Sequence, residues 1–415
     1  MRILKLSAYC YPEQEASSHL TEDLYEAYKS AGFIVENYVP MPTRGVSREV
    51  RNEYKRKRLE ILYDGHLIIH RFSMFREGRK PFFRAARYLL VNIIQYYKGC
   101  NANNIDIIYS GSTPPTQGLL CALVKKRLSQ KYGHSVKMIF AIQDIFPDSL
   151  VTSGMTKKGS LLWKIGIKIS DYAYKNADQI VTISGSMKNN LVKKGIPADI
   201  IEVISNWIDL QSVNQIDREK NSLFDEYLID RNKFIVLYAG NIGVTQGTDV
   251  ILHAAQLLKD VNDIQFVIFG GGGEYIDFAE NAKELKNVFV HDLLPVERVS
   301  QVYSMGDVAI VTCKKGVGTS GMPSKTWSIM ACNTPIIASF DLNSDLANIL
   351  RDSKAGVCVP PGDVELLVNE IYKYYLKWKD GKELIVNSRS YVSKYAEKNA
   401  CVSRYVELIN NCVNG

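Results

Sequence analysis

The chain lacks closely spaced cysteines and lacks any long apolar run. Its eight cysteines are scattered along 415 residues, which excludes a zinc ribbon or a disulfide scaffold and is typical of a reducing compartment. No window holds the roughly 18 consecutive apolar residues that a transmembrane helix needs. Residues 2–9 follow a strand pattern and not the pattern of a signal peptide. We therefore expect a soluble protein of the cytoplasm.

The length of the chain exceeds what one compact core usually holds, so we expect two domains. A hydrophobic fraction of 46% with 23% charged residues is ordinary for globular proteins and excludes wholesale disorder. Short β-branched runs alternate with helix-length spacers, which predicts parallel sheets with helices on both faces. A polar stretch interrupts this rhythm at 210–232. We predict a first domain at 1–209, a linker at 210–232 and a second domain from 233 onward.

Both halves are predicted to be doubly wound α/β domains. Strands are expected at 3–8, 34–38, 67–70, 105–110, 136–141 and 179–183, and again at 234–239, 264–269, 288–291, 308–312, 335–339 and 357–359. Ligands of such sheets bind at the carboxyl ends of the strands. We therefore expect the ligand site in a cleft between the two domains.

The net charge of +7 is concentrated in one segment of the chain. Residues Arg44–Tyr88, which we call the basic segment, hold thirteen Lys and Arg against five Asp and Glu, a local net charge of +8. Its cations alternate with aromatic residues and lead into an apolar helical stretch, a pattern that predicts contact with an anionic membrane surface. A merely solvated run of charge is the alternative. Nucleic acid is not expected as a partner, because no known nucleic-acid-binding module accompanies the charge.

Three glycine-bearing loops follow predicted strands of the second half, at 238–243, 269–274 and 316–325. Glycine lets the backbone approach a ligand closely, and Lys325 adds a full positive charge where an anion would rest. The loops therefore predict a phosphate-binding site. The alternative is that the glycines only form tight turns.

The third loop also spells a G-x-G-x-x-G with Gly316, Gly318 and Gly321, and Asp341 lies twenty residues further on. This is the outline of a dinucleotide-binding motif and supports a rival hypothesis, an NAD-dependent oxidoreductase. Against it, residues 313–315 separate the strand from the first glycine. A P-loop is excluded because Met322 stands where its lysine should be.

A series of motifs occurs in order along residues 1–361. They are Pro12-Glu13, Gln143–Asp148 (Q-D-I-F-P-D), Ala177–Ser184 with Met187-Lys188, Asn206–Asp209 (N-W-I-D), Tyr238–Gly243 with Gln246-Gly247, Pro323–Lys325 and Met330–Ala338. Together these motifs resemble those of the bacterial family-4 glycosyltransferases, and more closely the branch of O-antigen and capsule assembly.

This resemblance implies a GT-B fold, with two Rossmann-like domains flanking a cleft. It places the acceptor on the first domain, the nucleotide-sugar donor on a second domain at 233–395, and a helix at 396–415 that crosses back to the first domain. It implies transfer with retention and with neither a metal nor a cofactor. In agreement, the chain contains no Asp-x-Asp triplet, which many metal-dependent transferases use.

The residues implied to bind the donor are Gly240, Asn241, Gly243, Gln246, Gly270, Gly271, Gly321, Met322, Pro323, Ser324, Lys325 and Ser328. The sequence departs from the family at four places. Asn241 and Gln246 stand where much of the family has Arg and Lys, and Ser320 and Ser328 stand where the family has two Glu residues. We therefore expect Lys325 to carry most of the diphosphate charge and to act as a catalytic residue.

On the acceptor side, Asp144 is expected to polarise the acceptor hydroxyl, and a turn-capping role is the alternative. Glu13 and His19 are further acceptor-side candidates, again with a structural alternative. With this resemblance, we expect transfer of a sugar, N-acetylated and from a nucleotide-diphosphate donor with UDP favoured over GDP, to a lipid-linked saccharide. We expect the protein on the cytoplasmic face of the bacterial inner membrane. A nucleotide-sugar epimerase on the same scaffold remains a second alternative.

Overall fold

The computed structural model describes residues 1–13, 18–78, 81–152, 154–318, 321–384 and 386–415. These residues form two compact units. The first unit comprises Met1–Ile204 and Cys401–Gly415, and the second comprises Ser205–Ala400.

The first unit alternates strands and helices. Its strands are β1 (Arg2–Leu6), β2 (Ile34–Pro40), β3 (Leu59–Leu62), β4 (Leu67–Phe72), β5 (Ile107–Gly111), β6 (Lys137–Ile142), β7 (Gln179–Thr182) and β8 (Ile201–Val203). Its helices are α1 (Ser18–Ser30), α2 (Arg48–Tyr54), α3 (Pro81–Cys100), α4 (Gln117–Tyr132), α5 (Asp148–Thr152), α6 (Leu161–Asn176) and α7 (Gly185–Lys193).

The first sheet has the strand order β3-β4-β2-β1-β5-β6-β7-β8. All neighbouring strands run parallel except β3, which pairs antiparallel with β4 at the edge. The helices α3 and α4 pack together, as do α4 and α6, so these three helices form one layer. Parallel strands joined by crossover helices give the doubly wound arrangement that the alternating pattern predicts.

The second unit repeats this architecture. Its strands are β9 (Phe234–Asn241), β10 (Ile264–Gly271), β11 (Val288–Asp292), β12 (Val308–Thr312), β13 (Ile336–Ser339) and β14 (Gly356–Val359). Its helices are α8 (Leu223–Glu226), α9 (Asp249–Leu257), α10 (Tyr275–Ala282), α11 (Val299–Met305), α12 (Lys325–Ala331), α13 (Asp345–Ser353), α14 (Val364–Lys379) and α15 (Arg389–Tyr395). A last helix, α16 (Lys398–Asn414), begins here, and its residues from Cys401 onward belong to the first unit.

The second sheet is entirely parallel, with the order β11-β10-β9-β12-β13-β14. Successive residues of β9 are buried in two different core clusters, with Phe234 and Val236 in one and Ile235 and Leu237 in the other. A continuous apolar run is what a parallel strand covered on both faces requires. Because both faces of β9 are buried, its sequence is a continuous apolar run, and this run predicted the strand.

The α/β fold class is confirmed, and each predicted strand is present with small shifts of its ends. Two strands were not predicted. Strand β8 is only three residues long, and β3 is an edge strand directly after a run of four cations, which a pattern search for buried strands passes over.

The predicted linker is not a separate segment. The division between the units falls at residues 204 and 205, and 210–232 belongs to the second unit. Leu223, Phe224 and Ile229 from this stretch are buried in the core. The stretch is polar on average, but these apolar residues anchor it. Among the described residues, no helix is long and apolar enough to cross a membrane.

Candidate functional site

Three loops leave the carboxyl ends of β9, β10 and β12, which are neighbours in the second sheet. The first loop, counted with the last two residues of β9, is 240–248, and the second, counted with the last two residues of β10, is 270–274. The third is 313–324, of which residues 319 and 320 lie outside the described residues. The strand order reverses between β9 and β12, and doubly wound sheets bind ligands at such a switch point. The three predicted phosphate loops therefore lie where the fold itself favours a ligand.

Backbone hydrogen bonds join the three loops into one surface. The amide of Ile242 donates to the carbonyl of Gly271 at 2.7 Å, and the amide of Glu274 donates to the carbonyl of Ile242 at 3.0 Å. The amide of Lys314 donates to the carbonyl of Thr245 at 2.9 Å. The first loop is therefore bonded to both of the others.

Lys325 places its ammonium group at the carboxyl end of β9. Its Nζ donates to the carbonyl of Ala239 at 3.2 Å and lies 3.9 Å from the centroid of the Tyr238 ring. Burial lowers the pKa of Lys325 to about 7, and no carboxylate of the described residues offsets this effect. A partly buried cation without a counter-ion is a strong site for an anionic ligand, because the anion would restore the charged form.

Asn241 and Gln246 bind each other beside this cation. The Nδ2 of Asn241 donates to the Oε1 of Gln246 at 2.9 Å, and the hydroxyl of Tyr238 donates to the carbonyl of Asn241 at 2.7 Å. A Cβ at Gly243 would lie 3.1 Å from the Asn241 Nδ2. The pair thus provides polar groups but no charge at this end of the first loop.

The glycines predicted to bind the donor fall into two groups. Gly240 has φ +138°, and a Cβ there would lie 3.2 Å from the Lys325 Nζ, so glycine leaves room for the ammonium group. A Cβ at Gly270 would lie 2.4 Å from Ile242 Cδ1, which makes this glycine a packing requirement. A Cβ at Gly271 would make an ordinary contact with Leu293 at 3.7 Å, whereas Gly321 borders open space in which a ligand could lie.

The remaining donor candidates flank the start of α12. Pro323 and Ser324 precede the helix, and the Ser324 side chain caps none of its amides. The side chain of Met322 packs against the core. Ser328 is partly buried in the first turn of α12, while Ser320 lies outside the described residues.

Asp341 has a role that the sequence did not reveal. Its carboxylate accepts the amide of Gly316 at 2.9 Å and the amide of Gly318 at 2.8 Å. A Cβ at Gly318 would lie 2.4 Å from the ring of Phe340, so glycine is required for packing. The amides that a dinucleotide would bind in this motif are therefore already occupied, and the geometry does not support the NAD alternative.

The family of the chain follows from comparison with known proteins. Residues 19–212 match Glycosyltransferase Family 4, and residues 219–398 match Glycosyl transferases group 1. The chain is a family-4 glycosyltransferase. Its GT-B fold is also that of the solved structure of Anabaena HepE in complex with UDP, with a TM-score of 0.71 and 13% identity over 99% of this chain and 100% of the other.

Two curated relatives match most of the glycosyltransferase. WbjE of Pseudomonas aeruginosa, named as a glycosyltransferase, is 26% identical over 292 residues, which cover 69% of this chain and 71% of the relative. WcaI of Escherichia coli strain K12, which is named for colanic acid biosynthesis, is 27% identical over 299 residues, which cover 69% and 70%.

In the first unit of the glycosyltransferase, Glu13 is held by the backbone. Its carboxylate accepts the amides of Thr43 at 2.7 Å, Arg44 at 2.9 Å and Cys10 at 3.3 Å, and the residue is 3% exposed. These contacts fasten the loop after β1 to residues 43–44. They agree with the structural alternative that was considered for Glu13. The other acceptor-side candidate, His19, is exposed in the first turn of α1.

Asp144 follows β6 at the carboxyl edge of the first sheet, and its side chain is exposed. No described residue donates a hydrogen bond to its carboxylate, and the surrounding residues remove part of its hydration, which raises its pKa. A carboxylate without a protein partner is available to a substrate hydroxyl. The capping alternative for Asp144 has no hydrogen bond to support it.

The basic segment presents less charge at the surface than its sequence suggests. Arg71 and Arg87 are 4% and 0% exposed, and Arg71 pairs with Glu60 at 2.5 Å. Arg79 and Lys80 lie outside the described residues. The cations at 55–58, in contrast, are all exposed.

The apolar helical stretch into which the basic segment leads is α3, and one side of this helix is uncovered. The exposed apolar side chains are Phe83, Leu89, Leu90, Ile93 and Tyr97 on α3, and Leu59, Ile61 and Leu62 on β3. The spacing of those on α3 follows the helical repeat.

The described residues contain no group of three or more His, Cys, Asp or Glu that could hold a metal ion.

Proposed function

We propose that this glycosyltransferase transfers an N-acetylated hexosamine or deoxyhexosamine from a UDP-sugar to a lipid-linked saccharide, with retention and without a metal. The reaction would serve surface polysaccharide assembly on the cytoplasmic face of the bacterial inner membrane. The observation that carries the proposal is the uncompensated ammonium of Lys325 at the switch point. The name of WcaI, which refers to colanic acid biosynthesis, supports a role in polysaccharide assembly. The UDP bound to HepE supports a UDP-sugar as the donor.

Lys325 is proposed as the main electrostatic catalyst. Cleavage of the donor's glycosidic bond leaves negative charge on the diphosphate, and a fixed cation beside it lowers the barrier. The Tyr238 ring and the Ala239 carbonyl hold the ammonium in place before the donor arrives. The open backbone at Gly321 and the polar side chains of the first loop would supply further hydrogen bonds to the donor.

In a retaining reaction, the leaving diphosphate can itself take the proton of the acceptor hydroxyl. No dedicated general base is then required. We propose that Asp144 polarises this hydroxyl, because its carboxylate is exposed and unoccupied by the protein. Glu13 instead shapes the loop after β1, and its contribution to the acceptor side is indirect.

The lipid-linked acceptor implies contact with a membrane, and we propose that the basic segment provides it. The exposed cations at 55–58 precede the exposed apolar side chains of β3, and the uncovered side of α3 follows. Each cation near an anionic leaflet contributes about 1 kcal/mol, which suffices for weak and reversible attachment.

A thermal-shift panel tests the donor assignment. UDP should raise the melting temperature, whereas NAD should not, because a ligand that binds only the folded state stabilises it. Lys325→Ala should abolish the shift, and Lys283→Ala, which removes a lysine 68% exposed on its side chain, should preserve it. Stabilisation by NAD alone would refute the proposal. EDTA should leave sugar transfer unchanged.

A further inference from the structure

A second surface of the first unit joins exposed apolar side chains to lysines. It comprises residues 154–168, the loop before α6 and its first two turns, and we call it the α6 tip. Its exposed apolar side chains are Met155 (66%), Leu161 (76%), Leu162 (53%) and Ile165 (46%). From residue 149 to residue 170 the chain has four lysines and no Asp or Glu. The tip is therefore both apolar and strongly basic.

The exposed apolar side chains and the lysines of the tip lie close together along the chain. Leu161, Leu162 and Ile165 occupy the first turns of α6, and the exposed Lys168 follows about 10 Å further along the axis than Leu161. The opposite side of the helix, with Gly166 among others, is buried against the rest of the unit. The exposed Lys157 and Lys158 precede this apolar end and Lys164 lies within it, so cations surround the apolar side chains. Apolar side chains bordered by cations match an interface between lipid tails and anionic headgroups.

The position of the tip agrees with the position of the basic segment. Crossover helices of a parallel sheet run opposite to the strands, so α3 and α6 both begin at the carboxyl edge of the first sheet. Both belong to the layer that α4 completes between them. Two interhelical spacings separate them by about 20 Å. Phe83, exposed at the start of α3, and Leu161 therefore lie on the same edge of the unit.

We propose that the α6 tip is a second membrane-contacting element that inserts its apolar end into an anionic bilayer beside the basic segment. The argument for lipid as the occupant is charge complementarity, since the four lysines of the tip outnumber the two carboxylates that flank it, Asp171 and Asp148, and Asp148 is already paired with Lys194. The proposal rests on the membrane contact in the proposed function and adds to it. Two contacts about 20 Å apart fix the orientation of the first unit on the bilayer, which one contact leaves free.

Vesicle flotation of the full-length enzyme tests the proposal, with phosphatidylglycerol and phosphatidylethanolamine as the lipids. Leu161→Gln with Leu162→Gln should lower the partition coefficient about tenfold or more, because two exposed apolar side chains no longer enter the bilayer. The control is Leu257→Gln with Leu366→Gln, which alters leucines 60% and 42% exposed on two packed helices of the second unit. The control should bind vesicles like the unmodified enzyme. Circular dichroism would verify that both variants fold.

Trp163 gives a direct reading of insertion, because it is the single tryptophan of the first unit and lies in the first turn of α6. Brominated lipids should quench its fluorescence, and Trp163→Phe should remove the quenched component. Flotation without quenching would contradict the insertion of the α6 tip and would leave the basic segment as the membrane contact. An unmodified enzyme that does not float would overturn both. A loss of self-association in Leu161→Gln with Leu162→Gln, with unchanged flotation, would assign the tip to a second copy of the chain.

Discussion

Donor affinity should depend on pH through Lys325. In the free enzyme, burial lowers the pKa of Lys325 to about 7, so above pH 7 the amine is increasingly neutral. A diphosphate beside Nζ favours the charged form and raises the pKa again. Binding above pH 7 must therefore take up a proton, and the affinity should fall as the pH rises. Below pH 7 the ammonium is already charged, and the affinity should be level.

The expected change is large enough to measure. One pKa unit corresponds to about 1.4 kcal/mol, or a factor of ten in affinity. Between pH 7 and pH 9 the protonated fraction of a group with this pKa falls from about one half to about one hundredth, so donor affinity should fall about 50-fold. At pH 8 about 0.9 proton should be taken up for each donor bound.

Isothermal titration with a UDP-sugar, in buffers of different ionisation enthalpy, measures both quantities. Lys325→Arg keeps its charge throughout this range and should remove the pH dependence. Lys325→Met should bind weakly at every pH, while Lys283→Ala, changed on the exposed surface, should behave like the unmodified enzyme. An affinity that stays level from pH 7 to pH 9, with no proton uptake, would refute the reasoning.

Three further predictions concern the same residues and their neighbours. Because native Lys325 has a lower pKa than in the unfolded chain, the unfolded state binds the extra proton between pH 7 and pH 10. The stability of the free enzyme should therefore rise over this interval by at most about 1.4 kcal/mol per pH unit, and Lys325→Met should remove this rise in chemical denaturation. Asp341→Ala should destabilise the second unit by about 1–3 kcal/mol in the same assay, because the amides of Gly316 and Gly318 lose their acceptor; unchanged stability would contradict this role. Asp144→Asn should lower kcat by about 10²-fold or more and leave the melting temperature unchanged, since its carboxylate makes no contact that stabilises the fold; a lower melting temperature with normal kcat would assign it to structure.

The fold could be predicted from the sequence because parallel strands buried on both faces are written as continuous apolar runs. Residues 234–239 and 264–269 are examples, and each became a strand of the second sheet. The edge strand β3 could not be predicted in this way. Its residues Leu59 and Ile61 are exposed, so no burial requirement shaped the pattern around them.

The candidate site was predicted in part. Lys325 stood out because it combines a charge with a glycine-bearing loop after a strand. The cation–π contact between Lys325 and Tyr238 could not be predicted, because 87 positions separate the two residues and local patterns carry no information on such pairs. Arg87 shows the reverse error: it counted toward the surface charge of the basic segment, yet it is fully buried. Local sequence indicates which groups are present, whereas tertiary packing decides which of them a ligand can reach.

The third loop shows how one letter pattern can serve opposite purposes. In a dinucleotide-binding motif the amides of the glycines face the pyrophosphate, and the downstream acid binds a ribose. Here Asp341 lies at the end of β13, next to β12, so the chain brings its carboxylate to the same loop. That carboxylate binds the amides of Gly316 and Gly318. A phosphate could bind these amides only by displacing the negatively charged carboxylate of Asp341. The amides at the start of the loop are therefore not available to an anionic ligand. An anion would instead bind at the other end of the loop, where the Lys325 ammonium has no carboxylate partner among the described residues.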